Sequence, residues 1–115
     1  HPNYKDMVVQ GRDTDSGVTV RSTGHPVRQI KNRFTRAILD MELANADPAA
    51  FEQLTVGSLR KAVIDGNLSD GSFMAGQIAG LIQNICPVKE IIEEIVGDAE
   101  RLLRNFEEIR GVQIG

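Results

Sequence analysis

The most regular pattern in the chain lies near its end. After Pro87, the residues Val88, Ile91, Ile92, Ile95, Ala99, Leu102, Leu103, Phe106 and Ile109 recur at three- and four-residue intervals, with Lys89, Glu93, Glu94, Glu100, Arg101, Arg104 and Glu107 on the other faces. That period predicts one long amphipathic helix followed by a tail from Gly111, and so continuous a stripe belongs to a core or a partner interface. Upstream, Val27, Ile30, Phe34, Ile38 and Met41 repeat at the same spacing. They predict a helix that opens at Thr23-Gly24-His25-Pro26 and runs to about residue 44, with Arg28, Lys31, Asn32, Arg33 and Arg36 around its remaining circumference. Asp47-Pro48 restarts a helix with Ala50, Phe51 and Leu54 on its apolar side. Leu59, Ala62, Val63 and Ile64 continue into a second short helix that Asp65-Gly66-Asn67 ends. Tyr4, Met7, Val8 and Val9 suit a short helix or turn over residues 1–10. Only Val18-Thr19-Val20-Arg21, β-branched and bounded by turn formers, reads as a strand. A single strand makes no sheet, so it pairs with another copy, with a missing part of the protein, or not at all.

These elements are arranged around Ser72-Phe73-Met74-Ala75-Gly76-Gln77-Ile78-Ala79-Gly80-Leu81-Ile82. Read as a helix with Ser72 at its N-cap, the segment puts Phe73, Met74, Ile78, Leu81, Ile82 and Ile85 over most of its surface. Ser72, Gly76, Ala79 and Gly80 then leave one side-chain-poor strip. Two mid-helix glycines each cost about 1 kcal/mol relative to alanine, so such a helix implies something close to its backbone, either another helix or a flat ligand. Gln77 is the polar group of the first turns, and a buried amide needs partners. The small-residue spacing also occurs in membrane helices, but this run falls short of the ~20 residues a span requires and contains Gln77 and Gln83.

Composition narrows the function classes. At 115 residues the length suits one domain with a moderate core, and a net charge of −3 with no Trp makes no case for nucleic acid. Cys86 is alone, which excludes an internal disulfide, and with no signal-like or spanning segment the expected compartment is cytoplasmic. The first residue is His1 rather than Met, which fits a fragment or a processed piece. Asp13 and Asp15 have the spacing of a calcium loop's start, but its glycine and distal glutamate do not follow, so no metal is expected. Basic residues crowd the first half (Arg21, Arg28, Lys31, Arg33, Arg36) and acidic ones the end. They are two solvated faces or, for the basic group, a patch for an anionic partner.

Three blocks in order, Gly24-His25-Pro26-Val27-Arg28-Gln29-Ile30-Lys31-Asn32, Phe51-Glu52-Gln53-Leu54 and Gly71-Ser72-Phe73-Met74-Ala75-Gly76-Gln77-Ile78-Ala79-Gly80-Leu81, resemble the FMN-dependent enoyl-acyl-carrier-protein reductases. These group with the nitronate monooxygenases, also called 2-nitropropane dioxygenases. The opening His1-Pro2-Asn3-Tyr4-Lys5 is similar to the family's segment after the last barrel strand, and the Met-Ala-Gly-Gln and Arg-Gln-Ile-Lys-Asn blocks resemble the reductase branch more closely. The resemblance implies an FMN-binding (β/α)8 TIM barrel with a mainly α insert covering the flavin. On that reading the chain is the helical lid over residues 1–70, with one short strand near 18–21, followed by closing helices over 71–115 that pack on the barrel.

The same resemblance implies that Met74, Ala75, Gly76 and Gln77 approach the flavin. It implies that Arg28, Lys31 and Arg36 face the nucleotide or an acidic carrier protein, and that the catalytic histidine lies outside this chain, so no catalytic residue is named. The implied activity is reduction of the enoyl double bond of acyl-carrier-protein substrates with NAD(P)H, by a whole protein of which this chain alone is inactive. Partners would be the carrier-linked substrate and, for a homodimer, a second copy, with neither nucleic acid nor membrane. Two alternatives stand beside it: a nitronate monooxygenase of the same family, and a stand-alone helical interaction module whose apolar strips pair with another protein or with a second copy.

Overall fold

The structure, a computed structural model, describes residues 1–112, with side chains described through Phe106. The side chain of Ile109 and the tail beyond Val112, both part of the sequence-based expectation, lie outside that description. The chain forms two compact units, His1–Asn84 and Ile85–Gly115.

In the first unit the strand near 18–21 finds its partner within the chain. Strand β1 (Ser16–Thr19) pairs antiparallel with β2 (Val27–Ile30), Ser16 opposite Ile30 and Thr19 opposite Val27. This corrects two expectations, the strand without a partner in this chain and the helix opening at Pro26. Helix α2 (Arg33–Leu43) begins only after Asn32, whose side chain accepts from the Thr35 N–H at 3.0 Å while the Thr35 hydroxyl accepts from the Asn32 N–H at 2.8 Å. That reciprocal cap fixes the start. Val27 and Ile30 shared a helical spacing with Phe34 by coincidence, because strand and helix here bury residues toward the same interior.

The expected helix over 72–82 is also absent. Residues 72–75 run extended along the other edge of β2: the Ile30 N–H donates to the Phe73 carbonyl at 2.8 Å, the Ala75 N–H to the Arg28 carbonyl at 3.3 Å, and Met74 bridges to Gln29. The physical reason is long-range. Backbone groups of β2 that point into the interior need partners, and Phe73, with 0 % of its surface exposed, packs on Ile30 and Ala62. Gly76 and Gly80 weaken the helical alternative, and only a short 3₁₀ turn, Gln77–Leu81, follows.

Helix α1 (Pro2–Val9), the expected short helix, brings Tyr4, Met7 and Val8 onto the Ile30–Ala62–Phe73 cluster, with the Tyr4 and Phe73 ring centroids 4.9 Å apart. Helices α3 (Pro48–Thr55) and α4 (Ser58–Val63) form where Asp47-Pro48 and Asp65-Gly66-Asn67 placed their limits, and the Asp47 carboxylate caps α3 by accepting from the Ala49 N–H at 2.8 Å. Phe51 of α3 joins Phe34 and Ile38 of α2 in a second cluster. The second unit is α5 (Val88–Val112), the long helix its period predicted.

Candidate functional site

A buried polar seam joins the sheet to the segment at 72. Gln29 is 1 % exposed; its Nε2 donates to Thr19 Oγ1 at 2.7 Å and its Oε1 accepts from Ser72 Oγ at 2.8 Å. Both polar atoms of that amide have a partner inside the fold, so the seam is a support rather than a reaction centre. Asn32 extends it: besides capping α2, its Nδ2 donates to the carbonyls of Leu68 and Gly71 at 2.9 and 2.8 Å. Ser72, expected as an N-cap, is thus a strut. Its own N–H donates to the Ser58 carbonyl at 3.0 Å.

Held from beneath in this way, residues 74–77 form an open strip. Met74 is 43 % exposed and its carbonyl accepts from the Tyr4 hydroxyl at 2.6 Å, which ties the strip to α1. Burial pushes the Tyr4 phenol above its ordinary value, which keeps it a donor at neutral pH. Ala75 is half-buried, and Gly76 and Gln77 are exposed. Gln77 is therefore a surface group at the head of a 3₁₀ turn and not the buried helix amide that the pattern predicted.

The two glycines differ. A Cβ on Gly80 would lie 2.8 Å from the Asp13 N, so its bareness serves contact between the 3₁₀ turn and the loop at 12–13. Gly76 has an extended backbone (φ −72°, ψ 177°), and a Cβ there meets nothing within 4 Å. Neither conformation nor packing within the described residues asks for glycine at 76. The space above it is open.

Beside the strip lies an open cleft of about 200 Å³, lined by Val20 and Val27 from the hairpin, Phe34 and Ile38 from α2, Leu59 from α4, and Met74. Val20 holds a left-handed backbone (φ 57°), costly for a β-branched residue, while its side chain packs against the Phe34–Ile38–Phe51 cluster.

The basic trio is not gathered into one patch by its hydrogen bonds. Arg28 Nη1 donates to Ser16 Oγ at 3.0 Å and Lys31 Nζ to the Thr14 carbonyl at 2.6 Å, so both brace the turn before β1, while Arg36 is exposed on α2. Among the described residues no cluster of His, Cys, Asp or Glu could hold a metal ion, and no helix is long and apolar enough to cross a membrane. Pattern reading missed Gln29, Asn32 and Tyr4 as organisers of the site. The Asn32-x-x-Thr35 spacing was the available signal for one of them.

The site is thus an extended, glycine-bearing strip on a small two-stranded sheet, packed against short helices. The chain belongs to the nitronate monooxygenase family, whose sequence model matches residues 1–98. It is 29% identical over 100 residues to a protein of Staphylococcus saprophyticus described as a probable nitronate monooxygenase, an alignment covering 87% of this chain and 28% of that protein. Among solved structures it is similar to FabK from Thermotoga maritima, with 44% identity and a TM-score of 0.84 over 94% of this chain and 34% of that one. A point mutant of the same FabK superposes with a TM-score of 0.74 at 38% identity. The chain therefore spans about a third or less of the length of these relatives.

Proposed function

We propose that this chain is the C-terminal, flavin-covering part of an FMN-dependent oxidoreductase that reduces the double bond of enoyl thioesters carried on acyl carrier protein, with NAD(P)H as donor. The observation that carries the reading is Gly76: a glycine that the described fold does not need, exposed in an open strip whose neighbours are anchored from below. Backbone this bare admits a planar ring, and the Gln77 amide beside it can both donate and accept a hydrogen bond. FMN, when bound, supplies the hydride chemistry. The residues here orient and shield: Tyr4 fixes the Met74 carbonyl, Gln29 and Ser72 fix the backbone behind it, and Met74 offers an apolar contact. Similarity to FabK favours the reductase. Arg28 and Lys31 are engaged at the turn before β1, so Arg36 is the member of the trio we assign to an anionic partner.

Substituting Gly76→Val in the whole protein tests this. The added side chain enters open space at an ordinary φ, so thermal stability stays close to that of the parent, while flavin content after purification falls several-fold. Full flavin retention with normal turnover would remove the strip from the site. Gln77→Ala should weaken FMN retention without loss of fold. A whole protein that purifies colourless and gains no flavin on reconstitution would end the reading. The second reading, a nitronate monooxygenase, is favoured by the family match and the S. saprophyticus relative. Oxygen-dependent consumption of a nitronate, without enoyl thioester reduction, would select it.

A further inference from the structure

We infer that the cleft beside the strip is the seat of the acyl chain, an inference that rests on the reading of an enoyl thioester substrate. The cleft has the right chemistry for a hydrocarbon. Its walls are Val20, Val27, Phe34, Ile38, Leu59 and Met74, and no ionisable side chain lines it. Most of its polar side chains already have partners: Gln29 and Ser72 bond one another, and the Thr55 hydroxyl donates to the Phe51 carbonyl at 2.8 Å, which leaves the Ser58 hydroxyl as the exception among the described residues. A polar ligand would find little left to bond, whereas an apolar one loses water and displaces nothing.

Its position commits it to one occupant. Met74 is at once a cleft wall and the first residue of the strip, so a substrate whose reacting carbons sit at the strip continues directly into the cleft past Met74. The floor residues Gln29, Phe34 and Ile38 are buried, while Leu59 (44 %) and Met74 (43 %) are the exposed rim. A volume of about 200 Å³ accommodates a chain of several methylenes. A small nitroalkane would leave it empty. Val20, held at φ 57°, is one of its walls. Each methylene that loses its place in an apolar site costs about fourfold in binding, so blocking the cleft should discriminate by chain length.

The test uses the whole protein and two substrates without carrier protein, the N-acetylcysteamine thioesters of 2-butenoic and 2-decenoic acid. Leu59→Trp fills the cleft from an exposed position and Val27→Phe narrows it from the hairpin. Each should lower kcat/KM for the decenoyl substrate by at least about tenfold. Turnover of the butenoyl substrate and the flavin absorbance should stay essentially unchanged. Equal losses on both substrates, no loss on either, or a parent protein that reduces only the butenoyl thioester would overturn the acyl seat and leave the reductase reading standing. A parent protein that reduces neither would overturn both.

Discussion

Residues 72–82 and α5 (Val88–Val112) are both rich in apolar residues, yet one is a strand edge followed by a tight turn and the other a helix of 25 residues. In α5 the apolar stripe repeats over about six turns and is laced by pairs three or four apart, Lys89 with Glu93, Asp98 with Arg101 and Glu100 with Arg104. Local period alone decides it. The shorter segment has too few turns for its period to count, and its conformation is set by groups some 43 positions away. Short apolar runs are settled by their partners, and long periodic ones by themselves.

Removing the partners should therefore hurt the short segment most. Phe73→Ala empties the centre of the Ile30–Ala62 cluster and is expected to cost about 3–5 kcal/mol, read by urea unfolding of the whole protein. Gln29→Ala leaves the Thr19 and Ser72 hydroxyls without their shared amide and should cost about 2–3 kcal/mol. Hydrogen exchange should quicken at Ile30 and Ala75, whose N–H groups make the ladder to 73 and 28, and stay unchanged in α5. Accelerated exchange in α5 alone would contradict the division between long-range and local control. Tyr4→Phe keeps the ring against Phe73 and deletes only the bond to the Met74 carbonyl, for about 1 kcal/mol. If the strip faces flavin, the same variant should loosen FMN more than it lowers stability.

Much of the helical layer was legible, because α3, α4 and α5 carry their own limits in Asp47-Pro48, Asp65-Gly66-Asn67 and Pro87. The hairpin was half legible. Val18 and Thr19 looked like strand, but Val27, Arg28, Gln29 and Ile30 place apolar residues where a helix with Phe34 and Ile38 would also want them, and only pairing with Ser16–Thr19 breaks the tie. At the candidate site, residues 74–77 were singled out on a helix that does not exist, yet the bareness noted at Gly76 persists in the extended strip. Bareness at Gly80 has a different cause, contact with Asp13, and nothing in the local sequence separates the two. The roles of Tyr4 and Gln29 depend on separations of 70 and 43 residues, beyond any local pattern.

The smallest effect separates the two regions by charge. Arg33 Nη2 meets Asp70 Oδ1 at 2.6 Å across 37 positions, tying the head of α2 to the loop that leads into the strip. The charge-assisted bond from Arg33 holds the Asp70 carboxyl below its ordinary 3.8, with help from the bond to Asn67. A carboxyl whose folded value is depressed stabilises the fold above its unfolded value and loses that contribution as pH falls through the folded one. Stability should therefore be insensitive to Asp70 at neutral pH down to about 4 and decline below 3.8. Asp70→Asn should remove part of that acid limb and leave the share of Asp15, which Arg12 depresses in the same direction. Both groups face solvent, so the change is a small one in the slope of stability against pH, and added salt should shrink it further. Asp98→Asn in α5 breaks a pair only three positions apart and should leave exchange at Ile30 and Ala75 untouched at every pH. A matching response there to Asp70→Asn and Asp98→Asn would mean that the loop into the strip is governed as locally as the helix, and the contrast between the two regions would fail.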